Sequence, residues 1–176
     1  AHAFSKFNEH GRRELDPSLY DAVVFIGARI RPGAVVPDLL NHIAHPDRYL
    51  TRDYIQLVLA EHFLKHSTFQ LARSMAATKK TRVLMNMISF DTNGKAPTPR
   101  RYTIARRASQ NDLALLDELN REILHQENIT YVGQPLETIV NGYYTDAKFG
   151  LESDDYVHKN AEYGAVVLRE VLKKLA

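Results

Sequence analysis

No cysteine occurs among the 176 residues of this chain. That absence excludes disulfides, thiolate metal sites and a cysteine nucleophile. Long apolar runs are missing too: the longest, such as "AVVFIGA", stop far short of the length that crosses a bilayer. The opening "AHAFSKF" has no initiator Met, as in a processed or trimmed chain, and lacks the basic start and apolar run of a signal peptide. The expected location is the cytoplasm, with no membrane partner, although a chain without cysteine is compatible with the periplasm as well. There is no Gly-x-Gly-x-x-Gly fingerprint and no phosphate loop, so no cofactor is expected. Charge of one sign is also scarce in excess: 23 Lys and Arg face 21 Asp and Glu, a formal net charge of +2. For a nucleic-acid partner the clustering of charge matters more than this sum.

What remains is an ordinary globular composition, 44% hydrophobic and 25% charged. The length suits one domain covering residues 1–176, with a continuous core. Three short β-rich apolar runs predict buried strands: "AVVFIGA" (Ala22 to Ala28), "RVLMNMISF" (Arg82 to Phe90) and "ITYVG" (Ile129 to Gly133). Their unbroken apolar character fits parallel strands covered on both faces.

Helical periodicity fills the intervals. "TRDYIQLVLAEHFLKHSTFQLARSMAAT" spaces Tyr54, Leu57, Val58, Phe63, Leu64, Leu71 and Met75 at steps near three and four, and predicts one long helix capped by Thr51. "SQNDLALLDELNREILHQ" predicts another, capped by Ser109 or Asn111. "EYGAVVLREVLKKLA" predicts the last, with Lys173 and Lys174 where the helix dipole favours positive charge. Strand, helix, strand, helix, strand, loop, helix is the order of an α/β fold, a three-layer α/β/α sandwich around a mostly parallel sheet. Ligands of such sheets lie at the carboxyl ends of the strands, here "GARIRPG", "SFDTNGK" and "GQPLETIVNG".

The stretch "ESDDYVHKNAEYG" (residues 152–164) precedes the last helix and has two readings. Asp155 or Asn160 caps the helix while His158 is a surface residue, or Asp155 turns back to meet the His158 imidazole. In the second case the carboxylate fixes the tautomer and stabilises imidazolium when Nε2 takes a proton, as the orienter and base of a hydrolytic triad do.

Other polar groups are less pointed. His62 and His66 in "EHFLKH", and His42 and His45 in "HIAH", have spacings that suit a metal, but no acidic third ligand stands in obvious register, and no metal is expected. "KKTR" (Lys79 to Arg82) suggests a helix end before the second strand. "PRRYTIARR" (Pro99 to Arg107) suggests a loop over the site, where arginines meet an anionic substrate such as an acidic glycan. Without a nucleic-acid module signature, no nucleic-acid partner is expected. Tyr143 and Tyr144 either stack on a sugar face or anchor their loop to the body.

The block "DDYVHKNAEYG" before a C-terminal helix resembles the last block of the SGNH, or GDSL-type, hydrolases. Asp-x-x-His there supplies the Asp and the His of a serine triad, and the Asn and Tyr-Gly after the His resemble members encoded with polysaccharide biosynthesis functions. "YDAVVFIGARI" is similar to the family strand whose Gly, here Gly27, offers an oxyanion N–H. Arg29 stands where that strand has Asn. The resemblance implies a flavodoxin-like three-layer fold and an esterase or acyltransferase. Its substrate would be a small-molecule or glycan ester, with O-acyl groups of carbohydrates the class implied. His158 would be the base, Asp155 its orienter, and Gly27, Arg29 and Asn160 the oxyanion and substrate-binding groups. The family nucleophile sits in a Gly-Asp-Ser turn after the first strand, and no such strand or turn is found before Tyr20. Ser5 is the one serine in the right region. Either the first strand and the nucleophile are missing from this chain, or it is a divergent, non-catalytic carbohydrate-associated or interaction domain.

Overall fold

The computed structural model describes residues 16–95, 103–152 and 154–176. Three parallel strands form its centre: β1 (Ala22–Ala28), β2 (Arg82–Met87) and β3 (Ile129–Val132), paired in the order β1-β2-β3. Helices α1 (Val36–Ile43), α2 (Arg52–Leu64), α3 (Ser67–Ala76) and α4 (Gln110–Gln126) lie with one face of the sheet, and α5 (Ala161–Leu175) packs on the other. The period of two along β2 explains the division. Val83 and Met85 enter the larger core with Leu40, Phe63 and Leu119, while Leu84 meets Val132, Val167 and Val171 on the α5 side. The chain is thus a mixed α/β fold on a parallel sheet.

Two sequence expectations change in detail. The long helix is two helices, because Lys65 ends α2 and His66 is extended at ψ 124°. Six helical residues turn the chain through about 600°, so on one straight helix Phe63 and Phe69 would point well apart. The break lets their rings meet at 5.3 Å, both fully buried, and Gln70 Nε2 donates to the freed Leu64 carbonyl at 3.0 Å. The second strand is shorter than "RVLMNMISF", since the chain leaves the ladder after Met87. Phe90 N instead donates to the Gln134 side chain at 2.8 Å. Helix α1 has no counterpart in the sequence reading; Pro37 occupies its first turn, where a missing N–H costs nothing.

Caps follow the expected residues. Thr51 Oγ1 accepts from Tyr54 N at 3.2 Å, and Ser109 with Asp112 forms a capping box at the start of α4. Arg82, expected at a helix end before β2, acts on a different helix: its guanidinium donates to the last carbonyls of α5, Leu175 at 2.8 Å and Lys174. No helix among the described residues is long and apolar enough to cross a membrane.

After β3 the chain forms a small antiparallel hairpin, β4 (Ile139–Val140) with β5 (Tyr144–Thr145). Asn141 and Gly142 turn it with φ of 49° and 78°, a pairing of residue types that tolerates the left-handed region. Gly142 is required for a second reason: a Cβ there would lie 2.2 Å from the Ala105 carbonyl.

Candidate functional site

The loop between Gly150 and Asn160 carries the pair that the sequence singled out. Oδ1 of Asp155 accepts N–H bonds from Val157 at 2.8 Å and His158 at 2.9 Å, a turn closed by its own carboxylate. The other oxygen, Oδ2, lies 2.6 Å from His158 Nδ1. These contacts, led by the His158 backbone N–H and then its ring, hold the Asp155 carboxyl down to about 2. Asp155 is therefore a carboxylate at any ordinary pH, and it fixes the proton of a neutral His158 ring on Nδ1. Nε2 is left with its lone pair free, on a side chain 75% exposed.

The helix cap exists too, and it is Asn160. Its Oδ1 accepts from Tyr163 N at 3.1 Å, while Nδ2 donates to the Lys148 carbonyl at 2.7 Å. Cap and carboxylate-histidine pair thus coexist five residues apart. With both ends of its amide so engaged, Asn160 positions the loop and the start of α5. A direct role for Asn160 on substrate would need those bonds to open.

Several contacts fix this loop to the carboxyl end of the sheet. Thr92 N donates to the Tyr156 carbonyl at 2.8 Å. Beneath it, the half-buried Lys159 donates through Nζ to the carbonyls of Tyr156 at 3.1 Å and Val157 at 2.6 Å. Burial pushes Lys159 down to about 8, against the opposing pull of Asp91 and Asp155. Asp91 is itself raised by burial, with Lys159 and Arg31 acting the other way.

Opposite the loop, β1 ends in a bulge. Phe25 pairs with Met85 and Ala28 with Met87, so two residues of β1 oppose the single Asn86, and Gly27 takes φ 63°. Asn86 is 3% exposed and joins all three strands: Oδ1 accepts from Gly27 N at 3.5 Å and Nδ2 donates to the Val132 carbonyl at 3.1 Å. The Gly27 N–H accordingly points into the sheet toward Asn86, and a substrate oxygen must compete with that amide for it.

Past the bulge, Ala28, Ile30 and Pro32 are buried, while Arg29 and Arg31 between them are exposed. Both arginines line an open cleft with Ile88, Asp155, Tyr156 and His158. The structure therefore brings together Arg29, Asp155 and His158 and sets Gly27 just behind them. Ser5 lies outside the described residues. Among the described residues lining the cleft there is no serine, threonine or cysteine.

Sequence reasoning missed Arg31 and Lys159. The alternation of small or apolar residues with arginine in "ARIRP" was a usable signal for the first, since burial of Ala28, Ile30 and Pro32 leaves both arginines exposed between them. Lys159 carried no signal, because only tertiary packing buries it. Tyr143 and Tyr144 are buried and stacked at 4.5 Å, so they anchor their loop. Arg106 lies 5.8 Å over the Tyr144 ring; residues 99–102 of the basic loop are outside the described residues.

The histidine pairs are engaged locally. His62 Nε2 meets the Arg31 carbonyl at 3.1 Å, burial lowering its basicity, and its ring lies 4.8 Å from that of His66. His45 Nδ1 accepts from Asp47 N at 3.1 Å, and His42 Nδ1 faces Arg48 at 3.4 Å. No group of three or more metal-ligating side chains is found among the described residues.

Compared with known proteins, the chain matches no family model, no curated protein and no solved structure.

Proposed function

We propose that the chain is an SGNH-like hydrolase that cleaves or transfers the acyl group of an ester, with O-acylated carbohydrate as its substrate class. The observation that carries this reading is the 2.6 Å contact between Asp155 and His158 Nδ1, in an open cleft at the carboxyl end of a parallel sheet. The resemblance of "DDYVHKNAEYG" supports it, and so do the parallel strand order and the position of the loop directly before α5.

The chemistry follows from the tautomer. His158 Nε2 removes the proton of a hydroxyl as the hydroxyl oxygen attacks the ester carbonyl carbon, and the imidazolium that forms is stabilised by Asp155. Negative charge develops on the carbonyl oxygen, where Arg29 supplies cationic N–H donors, and the Gly27 N–H adds to them if Asn86 releases it. Collapse breaks the bond to the alcohol, and Nε2 returns its proton to the departing alkoxide. With Ser5 as the hydroxyl the product is an acyl-serine, which a water or an acceptor alcohol then resolves by the same route. With water as the hydroxyl, acid and alcohol form in one round.

A second reading rests on a specific observation: no serine, threonine or cysteine lines the cleft among the described residues, and the one hydroxyl found there among them is the phenol of Tyr156. On that reading the fold is a non-catalytic carbohydrate-associated or interaction domain. Hydrolysis of a p-nitrophenyl acyl series separates the two. Release of acid that disappears in His158→Ala supports the enzyme, and loss in Ser5→Ala assigns the nucleophile, whereas retention there assigns water. Binding of an acidic oligosaccharide with no ester cleaved favours the second reading.

A further inference from the structure

We infer that Arg29 and Arg31 form a clamp for a permanent negative charge on the substrate, so that the preferred ester is anionic. The inference rests on the proposed function for its catalytic meaning, but the binding it asserts is independent of catalysis.

The observations concern the segment after the β1 bulge. Ile30 is fully buried, Ala28 and Pro32 nearly so, and Ile30 N closes a tight turn onto the Ala28 carbonyl at 2.6 Å. His62 Nε2 holds the Arg31 carbonyl from α2 at 3.1 Å. The backbone of both arginines is therefore fixed from the core side while both residues, exposed, line the cleft that contains His158. Neither guanidinium takes a hydrogen bond or an ion pair among the described residues. Such preorganised donors match the planar oxygen pairs of carboxylate, or the oxygens of phosphate and sulfate.

The carboxylates nearby do not absorb this charge. Asp155 is spent on two backbone N–H groups and the His158 ring. Asp91 is half-buried with Lys159 as its stronger electrostatic partner and Arg31 as the weaker. Asp154, exposed at the rim, is the other carboxylate lining the cleft. One arginine suffices for the charge that develops on a carbonyl oxygen during acyl transfer. A second, two residues along the same segment, is explained by an anion that the substrate already carries.

The test uses the full chain, labelled with 15N, titrated at low salt with sodium D-glucuronate, inorganic phosphate and D-glucose. The expected result is saturable movement of the Arg29 and Arg31 side-chain resonances with the anions and none with glucose. Stronger binding of glucuronate identifies an acidic sugar; stronger binding of phosphate identifies a phosphorylated substrate. Arg31→Gln and Arg29→Gln each weaken anion binding about ten-fold, the size of one exposed charge-assisted bond pair, and Arg31→Lys recovers part of it. Thermal melts confirm that the variants fold, as exposed side chains allow. The inference is overturned if no saturable shift occurs, or if Arg106 and Arg107 shift as much as Arg29 and Arg31. Retained anion binding in His158→Ala, with no ester cleaved by the unaltered chain, sinks the hydrolase reading and leaves the clamp standing. Equal kcat/KM for acetylated glucuronate and acetylated glucose does the reverse.

Discussion

One oxygen of the Asp155 carboxylate faces His158 Nδ1 at 2.6 Å, and the other accepts the backbone N–H of the same histidine at 2.9 Å. The residue that orients the ring therefore also fixes the backbone beneath it. This double hold makes the pair a rigid unit although the His158 side chain is largely exposed, and it sets a first prediction. Asp155 loses its charge only as pH falls toward about 2. Because its folded value is depressed, its contribution to stability is complete above the ordinary value of 3.8 and is lost as pH falls through about 2. An NMR titration of the carboxyl carbon should find that low midpoint, with Nδ1 rather than Nε2 protonated in neutral His158. A midpoint near 3.8 would show that the turn does not persist in solution.

Lys159 predicts a pH effect of the same sign, in the alkaline range. The unfolded chain keeps this ammonium to its ordinary value of 10.5, while burial makes the folded chain release the proton near 8. Between those values the unfolded state binds more protons, so stability rises with pH. The midpoint of urea unfolding should climb from pH 8 to about 9.5, before ionisation of unfolded tyrosines acts against it. Lys159→Met should flatten the climb. Identical profiles for the two proteins would mean that Lys159 is solvated.

Asn160 holds the start of α5 and the Lys148 carbonyl at once. Replacing it by Ala removes an N-cap, at a cost of about 1 kcal/mol, and leaves the Lys148 carbonyl without its donor. Denaturant unfolding should therefore find a loss of about 1–2 kcal/mol. Asn160→Asp should recover the cap but not the bond to Lys148. A neutral Asn160→Ala would remove the cap assignment.

Gly27 is needed for its backbone. Nothing lies within 4 Å of a Cβ built there, so Gly27→Ala makes no clash, yet φ is 63°. The left-handed conformation costs a residue with a Cβ roughly 1–2 kcal/mol. Thermal unfolding should show that loss. If the protein is unaffected, the bulge is not the solution conformation.

Legibility in the sequence divides along the same physical lines. The β1 span, the end of α4 and the Thr51 and Ser109 caps were readable, because buried runs and capping side chains are local signals. The Asp155 and His158 pair was readable for the same reason: three residues are enough for the carboxylate to reach back. The break between α2 and α3 was not, since helical periodicity continues through Lys65 and His66 and only the packing of Phe63 on Phe69 bends the chain. Asn86 reads as a polar interruption in an apolar strand, and its bonds to Gly27 and Val132 depend on which strands flank it. The cleft itself joins segments more than 100 residues apart, Arg29 and Arg31 against the Asp155 loop, which no local pattern encodes.

The central claim is that His158, oriented by Asp155, is a general base. Steady-state hydrolysis of p-nitrophenyl acetate by the unaltered chain, His158→Ala and Asp155→Asn tests it directly. The rate should fall to the uncatalysed background in His158→Ala, and kcat should fall by about 10³ to 10⁴ in Asp155→Asn, the size expected when the wrong tautomer faces the nucleophile. Cleavage by the unaltered chain at a rate that His158→Ala leaves unchanged would contradict it.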